Sequence, residues 1–167
     1  MQKSNQKEIN KRLIEKYPFL KPYNLWTGEV WEGYDYETTW LDHMEPGWRE
    51  SLGEDFCAEI QEEVNTWCVE SQKEFRITCV KEKFGMLTVY FNMYTDNLYE
   101  ITKKYAQRSL HTCIKCGDTA TKITTGWYSP FCEDCVPSFK NSKMPTISVE
   151  DFICHHRRGI TSFIIKE

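Results

Sequence analysis

The sequence has no long hydrophobic run and no export signal. Its longest uninterrupted apolar runs are only a few residues, whereas a membrane-spanning helix requires roughly 20. Residues 1–12 are polar and basic, and Ile9 is the only apolar side chain after Met1, so the hydrophobic segment of a secretory signal is missing. We therefore expect a soluble cytoplasmic protein that contacts no membrane.

Repeats and aliphatic residues are also scarce. No internal repeat or low-complexity block is visible, which excludes solenoids and linker-rich arrays. Leu, Ile, Val and Phe account for only 36 of the 167 residues, which is close to the level at which a chain stays disordered. The 24 aromatic residues compensate, because each ring buries a large area. The length then suits one domain, or a core with one small module.

The common catalytic motifs are missing as well. There is no glycine-rich phosphate loop, no GxSxG and no HExxH. His43 lies among acidic neighbours, and the pair Asp35 and Glu37 could serve acid–base or Mg²⁺ chemistry. Isolated acids in an acidic loop are weak indications of catalysis, so the sequence favours a protein that is not an enzyme.

Cysteine, by contrast, is abundant, and four of the eight cysteines form two CxxC pairs. Cys113 and Cys116 are the first pair, and Cys132 and Cys135 are the second, after fifteen intervening residues. Two such pairs at this separation match the template of a four-thiolate zinc site. Each pair presents two sulfurs from one tight turn, about 2.3 Å from a shared ion. Disulfides and buried free thiols are the alternatives, and they are less expected in a reducing cytoplasm.

The region 111–137 is predicted to be a zinc ribbon. Residues 121–125 and 127–131 are predicted as short strands on either side of Gly126. Four thiolates leave no position for a reactive water, so the Zn²⁺ should be structural. A module of this size buries too little surface to fold alone, and the metal supplies the missing free energy. Iron in the same ligand set is the alternative ion.

The sequence before the ribbon predicts a core over residues 1–110. Apolar periodicity predicts helices over 5–16 and 48–70, and a further helix from Asp96. Alternating apolar residues on both sides of Lys81–Gly85 predict a β-hairpin. The expected fold class is therefore α+β, a small antiparallel sheet covered by helices, with the four-cysteine zinc ribbon on its C-terminal side.

Two further segments are less regular. An aromatic-rich loop, 18–47, interrupts the core, and alternation at 34–40 permits a short strand within it. Residues 138–167 are predicted to be a C-terminal tail. Within that tail, Ser162–Ile165 is a possible terminal strand, because its residues are mainly apolar, aromatic and β-branched.

Acidic residues and tryptophans are concentrated in the same part of the chain. Residues 21–75 carry 14 acidic and 3 basic side chains, although the whole chain has a net charge of only −4. One interpretation is a solvated helix face beside a loop that covers the core. The other is a surface that binds a basic protein partner through charge and aromatic anchors. The candidate partner-binding residues are Glu59, Glu62, Glu63, Trp26, Trp31, Tyr34, Tyr36 and Trp40.

Two alternative functions remain open. The ribbon and the tail hold basic and aromatic residues that suit phosphate contacts and base stacking, although the net negative charge opposes nucleic-acid binding. The nucleic-acid-binding candidates are Lys115, Lys122, Trp127, Tyr128, Arg157 and Arg158. The aromatic-rich loop could instead bind a small molecule, such as a nucleotide signal.

Several stretches together resemble one protein family. In chain order they are WTGE (Trp26–Glu29), YDY (Tyr34–Tyr36), MEPGW (Met44–Trp48), KEKFGMLTVYF (Lys81–Phe91) and the two cysteine pairs with their flanks (Thr112–Cys135). Over residues 8–137 this order resembles uncharacterised zinc-ribbon proteins carried by phages and prophages of gut bacteria. The resemblance implies a setting in the cytoplasm of a bacterial host cell. By analogy with other small phage proteins, it implies a host protein as the partner, for example a defence protein.

Overall fold

The computed structural model describes residues 2–24, 26–139 and 142–155, without the side chains of residues 2–4, 139 and 142. The expected strand Ser162–Ile165 and the candidates Arg157 and Arg158 lie outside the described residues.

Five α-helices form in this part of the chain, and local sequence signals set their ends. Helix α1 (Gln2–Lys16) ends before Pro18, which lacks the N–H that a continuing helix needs. Helix α4 (Asp96–Leu110) follows Thr95, whose hydroxyl accepts a hydrogen bond from the N–H of Leu98 at 3.1 Å. The other helices are α2 (Pro46–Val64), α3 (Val69–Glu74) and α5 (149–155), and short 3₁₀ turns cover Pro18–Leu20 and Trp40–His43.

The predicted single helix over 48–70 is wrong, because the chain forms α2 and α3 with a break between them. Near the end of α2, the hydroxyl of Thr66 donates to the carbonyl of Glu63 at 2.7 Å, a side-chain bond that competes with the helical ladder. Trp67 contacts Phe75 edge-on, with ring centroids 5.1 Å apart. The spacing of Trp67 therefore reflects core packing and not a longer helix.

The predicted hairpin is confirmed. Strand β1 (Ile77–Lys83) pairs antiparallel with β2 (Met86–Phe91). The two turn residues, Phe84 and Gly85, have φ values of 53° and 80°, and this left-handed geometry at both central positions closes tight hairpins. Helix α4 packs against β2, and α2 packs against α4. The fold is thus α+β, with helices covering a small antiparallel sheet, as the sequence predicts.

The aromatic-rich loop is built from turns. Residues 34–40 do not form the strand that their alternation permits, because Tyr36 has a φ of 65°, which interrupts an extended backbone. The carbonyl of Tyr36 accepts a hydrogen bond from the side-chain amide of Asn10 at 2.9 Å. Asn10 belongs to α1 and is fully buried, so this contact ties the loop to the first helix.

Part of the predicted tail joins the ribbon. Five short strands follow α4, namely β3 (Lys122–Thr124), β4 (Pro130–Phe131), β5 (Ser138–Phe139), β6 (Ser142–Lys143) and β7 (Thr146–Ser148). Strands β3 and β4 form the expected pair around Gly126, although both are shorter than predicted. Strand β7 pairs with the other edge of β3, so β3 is the central strand of a three-stranded sheet.

The ribbon also packs directly on the start of α2. The N–H of Gly47 donates to the carbonyl of Ile114 at 2.9 Å, and the indole N–H of Trp48 donates to the carbonyl of Thr112 at 3.0 Å. Trp48 is fully buried, and its indole N–H is satisfied by this bond. These residues belong to the MEPGW segment, whose proline begins the helix.

Only glycine fits at position 47. A Cβ there would lie 2.1 Å from the carbonyl oxygen of Cys113 and 2.5 Å from the backbone nitrogen of Gly117. Both are backbone atoms, which cannot rotate away as a flexible side chain would. Cys113 and Ile114 are themselves part of the main hydrophobic core. The division of the chain at residue 111 into separate domains stays a prediction.

The substitution Gly47→Ala should lower the free energy of unfolding by about 2–3 kcal/mol, because the added methyl group forces the ribbon and α2 apart. Gly53→Ala is the matched control in the same helix. Its Cβ would meet only side-chain atoms, those of Leu41 at 3.3 Å, Met44 at 3.8 Å and Arg49 at 3.9 Å, and alanine is the better helix former by about 1 kcal/mol. Thermal unfolding measures the stability of both variants. Equal stability of Gly47→Ala and Gly53→Ala would contradict the close contact between α2 and the ribbon.

Candidate metal centre and exposed surfaces

The two CxxC pairs meet in space. The Sγ atoms of Cys113, Cys116, Cys132 and Cys135 all lie within 4.8 Å of one another. Sulfurs placed tetrahedrally about 2.3 Å from an ion lie about 3.8 Å apart, and the sulfurs of Cys116 and Cys132 are 3.7 Å apart. The predicted ligands therefore form a cluster of four sulfurs that could hold one metal ion, an arrangement consistent with a zinc ribbon. Such a set leaves no open position for a substrate or a reactive water.

Short backbone hydrogen bonds hold each pair of sulfurs. In the first pair, the N–H of Gly117 donates to the carbonyl of Cys113 at 2.9 Å, and the N–H of Cys113 donates to the carbonyl of Asp118 at 2.7 Å. Gly117 has a φ of 84°, a left-handed conformation that favours glycine. In the second pair, the N–H of Cys135 donates to the carbonyl of Cys132 at 3.1 Å.

The surroundings of Cys113 favour a thiolate, whereas the pKa of Cys116 is raised. Burial opposes ionisation of Cys113, but backbone N–H groups of Cys132, Cys116 and Lys115 lower its pKa to about 7. The first turn of α2 lies against the same turn of chain, and the positive end of the helix dipole also favours negative charge. At Cys135, a hydrogen bond with the sulfur of Cys132 raises the pKa instead. A bound cation offsets the repulsion among four adjacent thiolates.

Cys113→Ser and Cys132→Ser each remove one ligand, so each variant should lose its metal and at least about 3 kcal/mol of stability. Cys68→Ser is the matched control, since Cys68 is exposed and lies outside the cluster. Elemental analysis should give one ion per chain for the parent and for Cys68→Ser. Unchanged metal content in the two ligand variants would mean that the four-sulfur assignment is wrong.

Glu59, a candidate for partner binding, is held by α4. Its carboxylate accepts hydrogen bonds from the ammonium group of Lys104 at 2.6 Å and from the hydroxyl of Tyr105 at 2.9 Å. Tyr105 is fully buried, so the carboxylate satisfies a hydroxyl that would otherwise lack a partner. This carboxylate therefore has a structural role within the fold.

Glu63 joins α2 to the start of α4. Its carboxylate accepts hydrogen bonds from the hydroxyl of Thr95 at 2.7 Å, the side-chain amide of Asn97 at 2.6 Å and the indole N–H of Trp67 at 2.9 Å. The bonds from Asn97, Thr95 and Trp67 lower the pKa of Glu63. Glu62, between these two glutamates, is exposed, and it is the acidic candidate that remains available to a partner.

Glu63→Gln should cost about 1 kcal/mol at neutral pH, because the amide replaces a carboxylate that accepts three hydrogen bonds. The pKa of Glu63 is lowered from its ordinary value of 4.5, so the ionised carboxylate stabilises the fold at pH values above that ordinary pKa. This stabilisation is lost as the pH falls through the folded-state pKa. The difference from the parent protein should therefore shrink on acidification.

Glu62→Gln is the control, and its free energy of unfolding should match that of the parent protein at every pH, because Glu62 is exposed. Urea unfolding between neutral and acidic pH measures these differences. A pH-independent cost for Glu63→Gln would contradict the proposed role of its charge.

The five aromatic candidates divide into two groups. Trp26 is 97% exposed and Trp31 is 58% exposed. Tyr34, Tyr36 and Trp40 are half-buried and pack against the main core. Tyr34, Tyr36 and Trp40 therefore cover the core, as expected for a loop that packs over the core. Trp26 and Trp31 face solvent and are available to a partner.

A hydrogen-bonded turn holds Trp26 in its exposed position. The side-chain oxygen of Asn24 accepts hydrogen bonds from the N–H of Trp26 at 2.9 Å and from the N–H of Thr27 at 3.3 Å. The N–H of Gly28 donates to the carbonyl of Asn24 at 2.8 Å, and the N–H of Asn24 donates to the carbonyl of Glu29 at 2.9 Å. Asparagine is favoured in such turns because its side chain bonds the backbone ahead of it.

The nucleic-acid candidates are only partly accessible. Lys122 forms an ion pair with Glu133 at 3.3 Å, and the ring of Tyr128 packs against a phenylalanine of α5, with centroids 5.0 Å apart. Lys115 is exposed, and Trp127 is 74% exposed. Among the described candidates for nucleic-acid binding, Lys115 and Trp127 are therefore the exposed ones.

A groove that the sequence analysis does not predict lies between β2 and α4. Its volume is about 640 Å³, and it is lined by buried apolar side chains, including Phe56, Leu87 and Val89, and by exposed Tyr94. None of its lining residues comes from loop 18–47, where the sequence suggested a small-molecule pocket. The alternation in β2 indicates a buried face, but the groove depends on how α4 packs beside that strand.

Comparison of the chain with protein-family models, curated proteins and solved structures gives no match. The resemblance to phage zinc-ribbon proteins therefore stays a prediction. Within the described ranges, no helix has both the length and the apolar character needed to cross a bilayer.

Proposed function

We propose that this protein is a zinc-stabilised interaction module that binds another protein through the turn that carries Trp26. The observation that carries the proposal is the 97% exposure of Trp26 on a turn held by the side chain of Asn24. Exposing a whole indole to water is unfavourable. Such a side chain in a fixed position is typical of an anchor that becomes buried in a complex.

The turn is already ordered, which reduces the entropy cost of binding. Its backbone bonds lie on both sides of Trp26, and Tyr23 and Val30 form a β-bridge at its base. The guanidinium of Arg76 lies over the ring of Tyr23, 4.2 Å from its centroid, which fixes the base of the turn to the core. Ordering before binding leaves more of the contact energy for affinity.

The charge around the turn favours a basic partner. Glu29 and Glu32 are exposed on either side of Trp31. Acidic side chains around an aromatic anchor steer and orient a positively charged surface. The resemblance to phage and prophage proteins makes a host protein the proposed partner, and a host defence protein is the specific class that the resemblance suggests.

Zn²⁺ is the proposed ion of the four-cysteine site. Four sulfurs in a tetrahedral arrangement are the ligand set of structural zinc, and the spacing of the sulfurs of Cys116 and Cys132 supports this geometry. The ion would hold both turns of the ribbon together and thereby keep the first of them against α2. Its role is to supply folding free energy. Because an ion with four protein ligands has no open position for a substrate, we expect a protein that is not an enzyme.

Nucleic-acid binding is the second candidate function, and the observation that favours it is the 74% exposure of Trp127 at the end of the ribbon hairpin. Exposed Lys115 belongs to the same ribbon. A stacking ring and a cation are the minimum elements of a single-strand contact.

The double variant Trp26→Ala, Trp31→Ala should lose the partner, because both exposed anchors of the turn are removed. We expect its affinity to fall at least about 100-fold, because each of the two truncations should cost about 2 kcal/mol or more and about 1.4 kcal/mol corresponds to a tenfold change. Trp127→Ala is the matched control, since it removes a tryptophan of similar exposure from the ribbon. Affinity capture from a lysate of a gut bacterium, with and without nuclease treatment, compares the parent protein, the double variant and Trp127→Ala.

A protein retained by the parent and by Trp127→Ala, but lost by the double variant, supports the proposal. Retention by all three proteins would show that the turn is not the binding surface. Material that disappears on nuclease treatment and requires Trp127 would favour the nucleic-acid function instead. Thermal unfolding of each variant checks that the loss of binding is not a loss of fold.

A further inference from the structure

A backbone donor faces the groove between β2 and α4. The N–H of Leu87 donates to the hydroxyl of Ser109 at 2.8 Å, and the N–H of Phe91 donates to the hydroxyl of Tyr94 at 3.1 Å, so both point away from β1. Since this direction repeats at every second residue of a strand, the N–H of Val89 also points away from β1, into the groove that Val89 lines. Val89 is only 8% exposed, and among the described residues no hydrogen bond to its N–H is present. A buried donor of this kind requires an acceptor.

The hairpin turn places an aromatic ring at one end of the groove. Phe84 has a φ of 53°, which is uncommon for a bulky side chain, and tight hairpins of this kind normally have Asn, Asp or Gly at that position. Its side chain is 44% exposed and lines the groove. Tyr94, which is 52% exposed, lines the other end, where β2 finishes. An aromatic residue in so strained a position indicates a role beyond closing the turn.

The charged side chains of the lining favour an anion. Lys83 and Lys103 are basic, and Asp96 is the acidic residue among the described residues that line the groove. Asp96 begins α4, and Lys103 lies about 10 Å further along the helix, so the basic part of the groove is separate from its acidic end. Lys103 contacts Glu100 at 3.3 Å in an exposed pair, which is a weak interaction.

We infer that this groove binds a small aromatic anion, a molecule of a few linked or fused rings with a carboxylate or phosphate group. The volume of about 640 Å³ lies within the usual range of small-molecule sites, about 300–1,000 Å³. The apolar floor, formed by Phe56, Leu87 and Val89, would bury the rings. An anionic oxygen is a strong acceptor for a backbone N–H and for lysine. The site is separate from the proposed partner-binding turn, because none of its lining residues lies in loop 18–47.

A pair of fluorescent dyes tests the inference on the full chain. Anilinonaphthalene sulfonate is an aromatic anion, and phenylnaphthylamine is the same ring system without the charge. The parent protein should bind the anionic dye at least about tenfold more tightly, because charge-assisted hydrogen bonds are the stronger ones. The variant Trp26→Ala, Trp31→Ala should bind both dyes as the parent does, and this separates the groove from the partner-binding turn.

Two substitutions separate the ring contact from the charge. Phe84→Asn should weaken binding of both dyes at least about tenfold, while the hairpin is kept, because Asn-Gly is a favoured sequence for such a turn. Lys103→Met should weaken only the anionic dye, by about tenfold. Lys73→Met is the matched control for charge, since Lys73 is exposed on α3 and does not line the groove.

Filling the groove provides an independent test. Ala106→Phe adds a ring to the lining and should abolish binding of both dyes. Gln107→Phe adds the same ring at an exposed position of α4 outside the groove and should leave binding unchanged. In the parent protein the anionic dye should slow hydrogen exchange of the Val89 amide at least about tenfold. The amide of Leu87 is the internal reference, because it is already bonded to Ser109.

Competition identifies the anionic group. Indole acetate is an aromatic carboxylate and adenosine monophosphate is an aromatic phosphate, so the one that displaces the dye shows which group the groove prefers. Failure of both competitors would overturn the inference, as would equal affinity of the parent for the two dyes. Unchanged binding in Phe84→Asn and Ala106→Phe would show that the dye binds elsewhere and would also overturn it. Thermal unfolding shows whether each variant is folded.

Discussion

Where α2 begins, its first turn lies against the turn that carries Cys113 and Cys116, and much of the remaining architecture depends on this contact. The approach is close because position 47 has no Cβ, and the buried indole of Trp48 satisfies a carbonyl of the ribbon. The metal site and the helical core thereby share one hydrophobic interior, to which Cys113 belongs. Metal binding and core packing therefore stabilise each other.

The sequence predicts the metal site and the hairpin because short-range chemistry encodes both. Two CxxC pairs indicate four ligands whatever the rest of the chain does. The turn at Phe84 and Gly85 is encoded nearly as locally, by a glycine between two alternating runs. The start of α4 after Thr95 is a further local signal, because a threonine hydroxyl can accept the hydrogen bond that the first turn leaves open.

Features that depend on residues far apart in the chain are not predictable in this way. The charge pattern of α2 does not distinguish Glu62 from Glu63, although one is exposed and the other binds Thr95 and Asn97. Likewise, the apolar spacing that extends the predicted helix to residue 70 includes Trp67, whose position is explained by Phe75. Which side of an amphipathic pattern faces another element is decided by tertiary packing, not by periodicity alone.

The pairing of β7 with β3 has a consequence for how this ribbon could be reused. A fragment limited to residues 111–137 would contain all four cysteines but would lack β7, which lies at Thr146–Ser148. Its central strand would then become an unprotected edge, which tends to recruit strands from other molecules. It would also lack the helix that covers Cys113. Unlike a self-contained zinc finger, this ribbon depends on contacts with elements outside residues 111–137. Grafts or fusions should therefore keep it joined to α2 and to β7.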